Sequence, residues 1–138
     1  MEKINNIWEE YKKIRLINEN KFTKVFKAKN KITNQYVVIK EIEKSKINIQ
    51  DYLIEIENWK KMKSENIVEI IDIFETKGYY YLIMKLCYFS LDDYLKIRKD
   101  SLSIEQIKEL LLELNKCFKE MKENKIVHKN LKLSNILL

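Results

Sequence analysis

Ile126-Val127-His128-Lys129-Asn130-Leu131-Lys132-Leu133-Ser134-Asn135-Ile136-Leu137-Leu138 is a polar loop between two apolar ends. Ile126-Val127 predicts a short apolar strand leading into it. Immediately upstream, Ile104, Ile107, Leu111, Leu114, Phe118 and Met121 recur at steps of three and four. That spacing predicts one long helix from Ser103 to about Asn124, opened by a capping box of Ser103 with Gln106. Ser90 is placed to cap a short helix, Leu91 to Arg98. Val68–Glu75 and Tyr79–Leu86 are β-rich runs around Thr76-Lys77-Gly78, and the chain's only glycine is expected to use a positive φ there. Tyr52, Ile56, Trp59 and Met62 or Lys63 give one face of a helix over Ile49 to Lys63, with Asn48 as its N-cap. Tyr11–Ile17, Phe22–Ala28 and Gln35–Ile42 read as strands separated by the polar stretches Asn18–Lys21 and Lys29–Asn34. The order predicts an α+β fold: five strands with one inserted helix, the strands at antiparallel-meander spacing, then helices.

Composition narrows the class. A chain of 138 residues with 46% hydrophobic and 35% charged residues can bury one core and is not a disordered tail. One Gly and no Pro exclude collagen and flexible linkers. Cys87 and Cys117 are too few for a disulfide-stapled scaffold, and with a single histidine they make no zinc site. No apolar run approaches the ~20 residues that span a bilayer, and Met1 to Glu10 lacks a signal sequence's apolar stretch. A reducing cytoplasmic or nuclear setting is expected, with no membrane partner. The net charge of +6 comes almost wholly from lysine, with only Arg15 and Arg98. Base and phosphate readers usually recruit arginine. The Lys-, Ile- and Asn-rich usage fits an AT-rich coding bias, so no nucleic-acid partner is expected.

The closing loop resembles the catalytic loop of eukaryotic protein kinases, H-R-D-L-K-x-x-N, written here His128-Lys129-Asn130-Leu131-Lys132-Leu133-Ser134-Asn135. Upstream residues join the resemblance in order. Val37-Val38-Ile39-Lys40 resembles the V-A-I-K strand, and Glu55 falls where the next helix carries its glutamate. Leu82-Ile83-Met84-Lys85-Leu86-Cys87 is similar to the hinge, with Met84 as gatekeeper. Ser90-Leu91-Asp92-Asp93-Tyr94-Leu95 is similar to the start of the following helix. The resemblance runs from about Tyr11 to Leu138. It implies an N-lobe over about 11–84, a hinge over 85–89 and the start of a C-lobe over 90–138. Lys132 resembles the serine/threonine branch.

The resemblance implies ATP and Mg²⁺ as cofactors. Lys40 would contact the α- and β-phosphates, held by an ion pair with Glu55. Ile17, Val25, Val38, Met84, Lys85, Leu86 and Cys87 would enclose the nucleotide. Lys132 would contact the transferring phosphate, and Asn135 would offer a metal its side-chain oxygen. Read alone, Lys40 is a strand lysine with a solvated head and Glu55 an exposed helix residue. The family's catalytic Asp is replaced by Asn130, whose neutral amide is a very poor proton acceptor. Loss of such a base costs ~10²–10⁴ in rate. Asn18, Asn20 and Thr23 replace the three glycines of G-x-G-x-x-G-x-V, while Phe22 and Val25 keep their positions. The 138 residues end before a D-F-G motif, whose aspartate is the family's main metal ligand, so Asn135 alone is expected to hold Mg²⁺ weakly. About half of the family's domain lies outside this sequence.

These departures imply a degenerate, pseudokinase-like chain with weak or absent nucleotide binding and little phosphotransfer. One alternative is the front half of an active serine/threonine kinase. Another is an interaction module binding a second protein through the apolar face of helix 103–124, which the rest of the family's lobe would normally cover, unless the helix folds back on the upper lobe.

Overall fold

In the computed structural model, residues 6–62 and 64–138 are described. They divide into two compact units. The first comprises the residues up to Trp59 with Glu69–Leu86, the second Lys60–Val68 with Cys87–Leu138.

The first unit is built on a five-stranded antiparallel sheet in the order β1-β2-β3-β5-β4. The strands are β1 (Tyr11–Glu19), β2 (Thr23–Asn30), β3 (Tyr36–Glu43), β4 (Ile70–Glu75) and β5 (Tyr79–Lys85). Side chains alternate between the faces along each strand, and directly paired residues share a face. One face carries the core of Ile7, Tyr11, Ala28, Val37, Ile39, Tyr81 and Ile83. It is closed by the short 3₁₀ turn Ile7–Glu9, whose Trp8 stands edge-on to Phe26 at 5.4 Å and to Tyr81 at 6.2 Å. Each large apolar side chain withdrawn here contributes about 1.5–3 kcal/mol.

The opposite face carries helix α1 (Ile49–Lys61). Asn48 caps it as expected, its Oδ1 accepting from the Gln50 and Asp51 N–H groups at 3.1 and 3.3 Å. Tyr52 and Ile56, one turn apart, form its buried stripe. The Tyr52 ring meets Tyr80 at 5.3 Å. The helix ends at Lys61, one residue before Met62, which was expected within it; the expected end, Lys63, lies outside the described residues.

The second unit holds α2 (Leu91–Ile97) and α3 (Ile104–Glu123). Both open on capping boxes, Ser90 with Asp93 and Ser103 with Gln106. The Ser103 box is the one expected; the aspartate of the first was not anticipated. α3 is 20 residues long, and among the described residues no helix is long and apolar enough to cross a membrane.

Two expectations are corrected. Gly78 has no positive φ. The turn is instead closed by Thr76, whose N–H donates to the Tyr79 carbonyl at 2.9 Å while its Oγ1 accepts from the Tyr79 N–H at 3.1 Å. Ile126-Val127 is not a strand. The Ile126 N–H is spent on the Met121 carbonyl at 2.8 Å, and Lys125 takes a φ of 56° with its N–H on the Lys122 carbonyl at 3.1 Å. These are the paired bonds of a Schellman helix stop, so the segment ends α3 and cannot join a ladder. Pairing occurs at the other end of the loop: the Leu91 N–H donates to the Ile136 carbonyl at 2.7 Å and the Leu138 N–H to the Phe89 carbonyl at 2.9 Å.

Candidate functional site

In the first unit, register collects the candidate residues. Val25 pairs with Lys40, which pairs on its other side with Leu82, and Val38 pairs with Met84. Because Val38 and Lys40 are two residues apart, all five side chains project from one face, the one that carries α1. Leu82 was not singled out in the sequence, although its alternation with Met84 is the signal that would have found it. The five make an apolar floor with Lys40 as its cation, and Lys27, paired with Val38, stands on the same face. Burial lowers the Lys40 pKa, and the Glu55 carboxylate partly restores it.

The expected Lys40–Glu55 ion pair is not closed. Glu55 acts on Lys40 through charge, but it is exposed, and among the described residues no direct ion pair joins the two. Tyr52 and Ile56 take the buried stripe of α1, which turns Glu55 toward the helix flank. Ile17 is 44% exposed, in the register shift between Leu16 and Asn18. Lys85 is exposed, and its N–H donates to the Glu69 carbonyl at 3.1 Å. Leu86 and Cys87 fall on either side of the division between the units.

The tip joining β1 to β2 holds an arrangement that composition could not show. The Asn20 Oδ1 accepts from the Phe22 N–H at 2.8 Å and from the Thr23 N–H at 2.9 Å. The Asn20 N–H in turn donates to the Thr23 carbonyl at 2.9 Å, and Lys24 pairs with Glu19 at 3.3 Å across the turn. Asparagine stands where glycine was expected, and its side chain takes up two of the turn's own amides.

In the second unit, the loop after α3 is tied to itself. The Asn130 N–H donates to His128 Nδ1 at 3.2 Å. Lys129 adopts a φ of 62°. The Asn135 Nδ2 donates to the Asn130 carbonyl at 2.8 Å from the 3₁₀ turn Leu133–Asn135. With its nitrogen so used, Asn135 has its Oδ1 left for an electrophile. Asn130 and Lys132 are exposed. Among the described residues, no cluster of three His, Cys, Asp or Glu is placed to hold a metal.

The chain matches the family model of the protein kinase domain over residues 11–138. It is similar to serine/threonine-protein kinase TIO of Arabidopsis thaliana, 32% identical over 133 residues covering 94% of this chain and 10% of that protein. It is similar to serine/threonine-protein kinase PLK4 of Danio rerio, 28% identical over 135 residues covering 94% of this chain and 14% of that protein. Cyclin-dependent kinase-like 5 of Mus musculus is 26% identical over 138 residues, 98% of this chain and 15% of that protein. The chain thus spans between 10% and 15% of the length of these relatives.

Proposed function

The chain belongs to the protein kinase family, and from that premise we propose that it is a degenerate serine/threonine-kinase-like domain with a weakened nucleotide site and little phosphotransfer. The observation that carries this reading is Asn130. The loop around it is built, with His128 and Asn135 both bonded to the Asn130 backbone, yet the side chain at the base position is a neutral amide. A substrate hydroxyl placed there would find an acceptor too weak to take its proton.

Kinase domains in general use ATP with Mg²⁺, which supplies a transferable phosphoryl group and neutralises its charge. The residues here fit that pair unevenly. Val25, Val38, Leu82 and Met84 offer an apolar face for a base, and Lys40 offers a cation. Asn135 is the one candidate metal ligand singled out, and Asn20 already occupies two amides of the turn over which phosphates would lie. The test is thermal stabilisation by adenosine and by ATP with Mg²⁺, alongside phosphotransfer to a generic protein substrate. Stabilisation that Lys40→Met weakens for ATP, without transfer, supports the reading. Brisk transfer by the parent chain sinks it.

A second reading is favoured by the exposure of much of the α3 stripe, where Ile104 is 68% and Leu111 58% exposed, although Leu114 is half-buried and Met121, expected in the uncovered stripe, is buried. Single exposed apolar residues are ordinary, but a stripe along one helix marks an association surface. On this reading the α3 face binds another protein. Self-association or partner binding that disappears in Leu111→Glu/Leu114→Glu supports it, and unchanged behaviour counts against it.

A further inference from the structure

The turn between β1 and β2 aligns with the glycine-rich loop that covers nucleotide phosphates in protein kinases. Such a loop works because its backbone N–H groups are unpartnered and free of Cβ crowding, so that they can donate to phosphate oxygens. Here the Phe22 and Thr23 N–H groups already have an acceptor in the Asn20 Oδ1, at 2.8 and 2.9 Å. The acceptor is intramolecular and two or three residues away, so it is present at high effective concentration whatever the ligand level. A phosphate oxygen would have to displace it before gaining either amide.

The same device occurs at the next turn, where the Asn30 Oδ1 accepts from the Ile32 and Thr33 N–H groups, each at 2.9 Å. Asparagine closing a turn is therefore a habit of this chain, and the bond pattern alone does not give Asn20 a role. Its place does. Thr23 pairs with Ile42, and Val25, two residues on, pairs with Lys40. The Asn20 turn lies at the end of the strand pair bearing the candidate phosphate-binding cation. The Asn30 turn lies at the opposite end of β2.

We propose that Asn20 is a built-in substitute for a phosphate group: its side-chain oxygen seals the β1–β2 turn, so that the turn gives ATP no advantage over adenosine. The proposal rests on the nucleotide-site reading above and deepens it, because it names the residue that removes phosphate discrimination from that site. A phosphate is then left to side-chain cations such as Lys40, and a nucleotide is held chiefly by its adenosine end.

The experiment is an amide-resolved NMR titration of the parent chain, Asn20→Gly and Asn20→Asp with adenosine and with ATP plus Mg²⁺, accompanied by amide hydrogen exchange. In the parent, the Phe22 and Thr23 amides should exchange slowly and stay unshifted by ATP, and the two ligands should bind within about threefold of each other. Asn20→Gly should expose both amides, speed their exchange by ~10-fold and tighten ATP binding by ~10-fold, with adenosine unchanged. Asn20→Asp keeps the acceptor, so it should keep the protection and bind ATP no better than the parent. That variant also guards against a turn simply loosened by glycine. ATP-induced shifts at Phe22 and Thr23 in the parent overturn the proposal. So does an Asn20→Gly variant that binds adenosine but gains nothing for ATP. If no variant binds either ligand, the nucleotide-site reading falls and the proposal falls with it.

Discussion

Tyr52 sets its hydroxyl into the buried stripe of α1, where it meets no hydrogen-bond partner among the described residues. Burial, and then the charge of Glu55, push its pKa far above the usual phenol range. An unmet buried hydroxyl costs free energy that an apolar side chain of the same shape does not. Tyr52→Phe should stabilise the fold by about 1 kcal/mol, read as a midpoint shift in chemical denaturation; a loss would mean that the hydroxyl has a water partner. Lys40 gives a prediction with a pH sign. Burial lowers its pKa from 10.5, with Glu55 opposing in part, so the folded chain holds this proton less tightly than the unfolded chain. Its contribution is most favourable above the unfolded value and is lost as pH falls through the lowered one. At neutral pH the half-buried charge is thus a net cost. Lys40→Met should raise Tm there, and the difference should shrink as pH rises toward 10.5. A difference that stays constant over that range would mean that the Lys40 head reaches water. The residue types at both positions were plain in the sequence. The missing hydroxyl partner and the open Lys40–Glu55 gap were not, because helix rotation decides them and one turn's periodicity does not fix it.

At the scale of elements, periodicity carried most of the fold. The α3 stripe repeats over five turns and its capping box is local, so both bounds were legible to within a residue. The strands of the sheet were found with ends shifted by one or two residues, the usual uncertainty where a ladder frays. Ile126-Val127 misled because two β-branched residues favour extended backbone, whereas the α3 stop claimed the Ile126 N–H. Gly78 misled because glycine permits positive φ without requiring it, and the Thr76 side chain closed the turn another way. Left-handed backbone lies elsewhere, at Asn34, Lys129 and Lys125, the last with φ 56° at the helix stop. A left-handed conformation costs an L-residue ~1–2 kcal/mol, and glycine largely avoids that cost while preserving both Schellman bonds. Offset by glycine's greater unfolded-state freedom, Lys125→Gly should still stabilise the second unit by ~0.5–1 kcal/mol, measurable as slower amide exchange at Lys125 and Ile126. Faster exchange there would show that lysine is not strained at this stop.

For the molecule as a whole, the ordered set of motifs was more informative than any one of them. A V-x-I-K tetrapeptide is common in a chain this rich in Val, Ile and Lys, but its spacing to the hinge-like and loop-like segments is not. What spacing could not reveal is whether substituted positions are tuned or merely eroded. Asn130 separates those cases. Its backbone N–H donates to His128 and its carbonyl accepts from Asn135, bonds that an aspartate at the same place could keep. Asn and Asp are nearly isosteric, and Asn130 is exposed, so the reverse change should cost little stability. In the full native product, with Mg²⁺ and ATP supplied, Asn130→Asp should raise phosphotransfer by ~10²–10⁴ if the base is the limiting defect. A gain that appears only when Asn20→Gly is added would place the first limit at the phosphate turn and the second at the base. No gain from either, with ATP demonstrably bound, would mean that neither Asn130 nor Asn20 sets the limit on phosphotransfer.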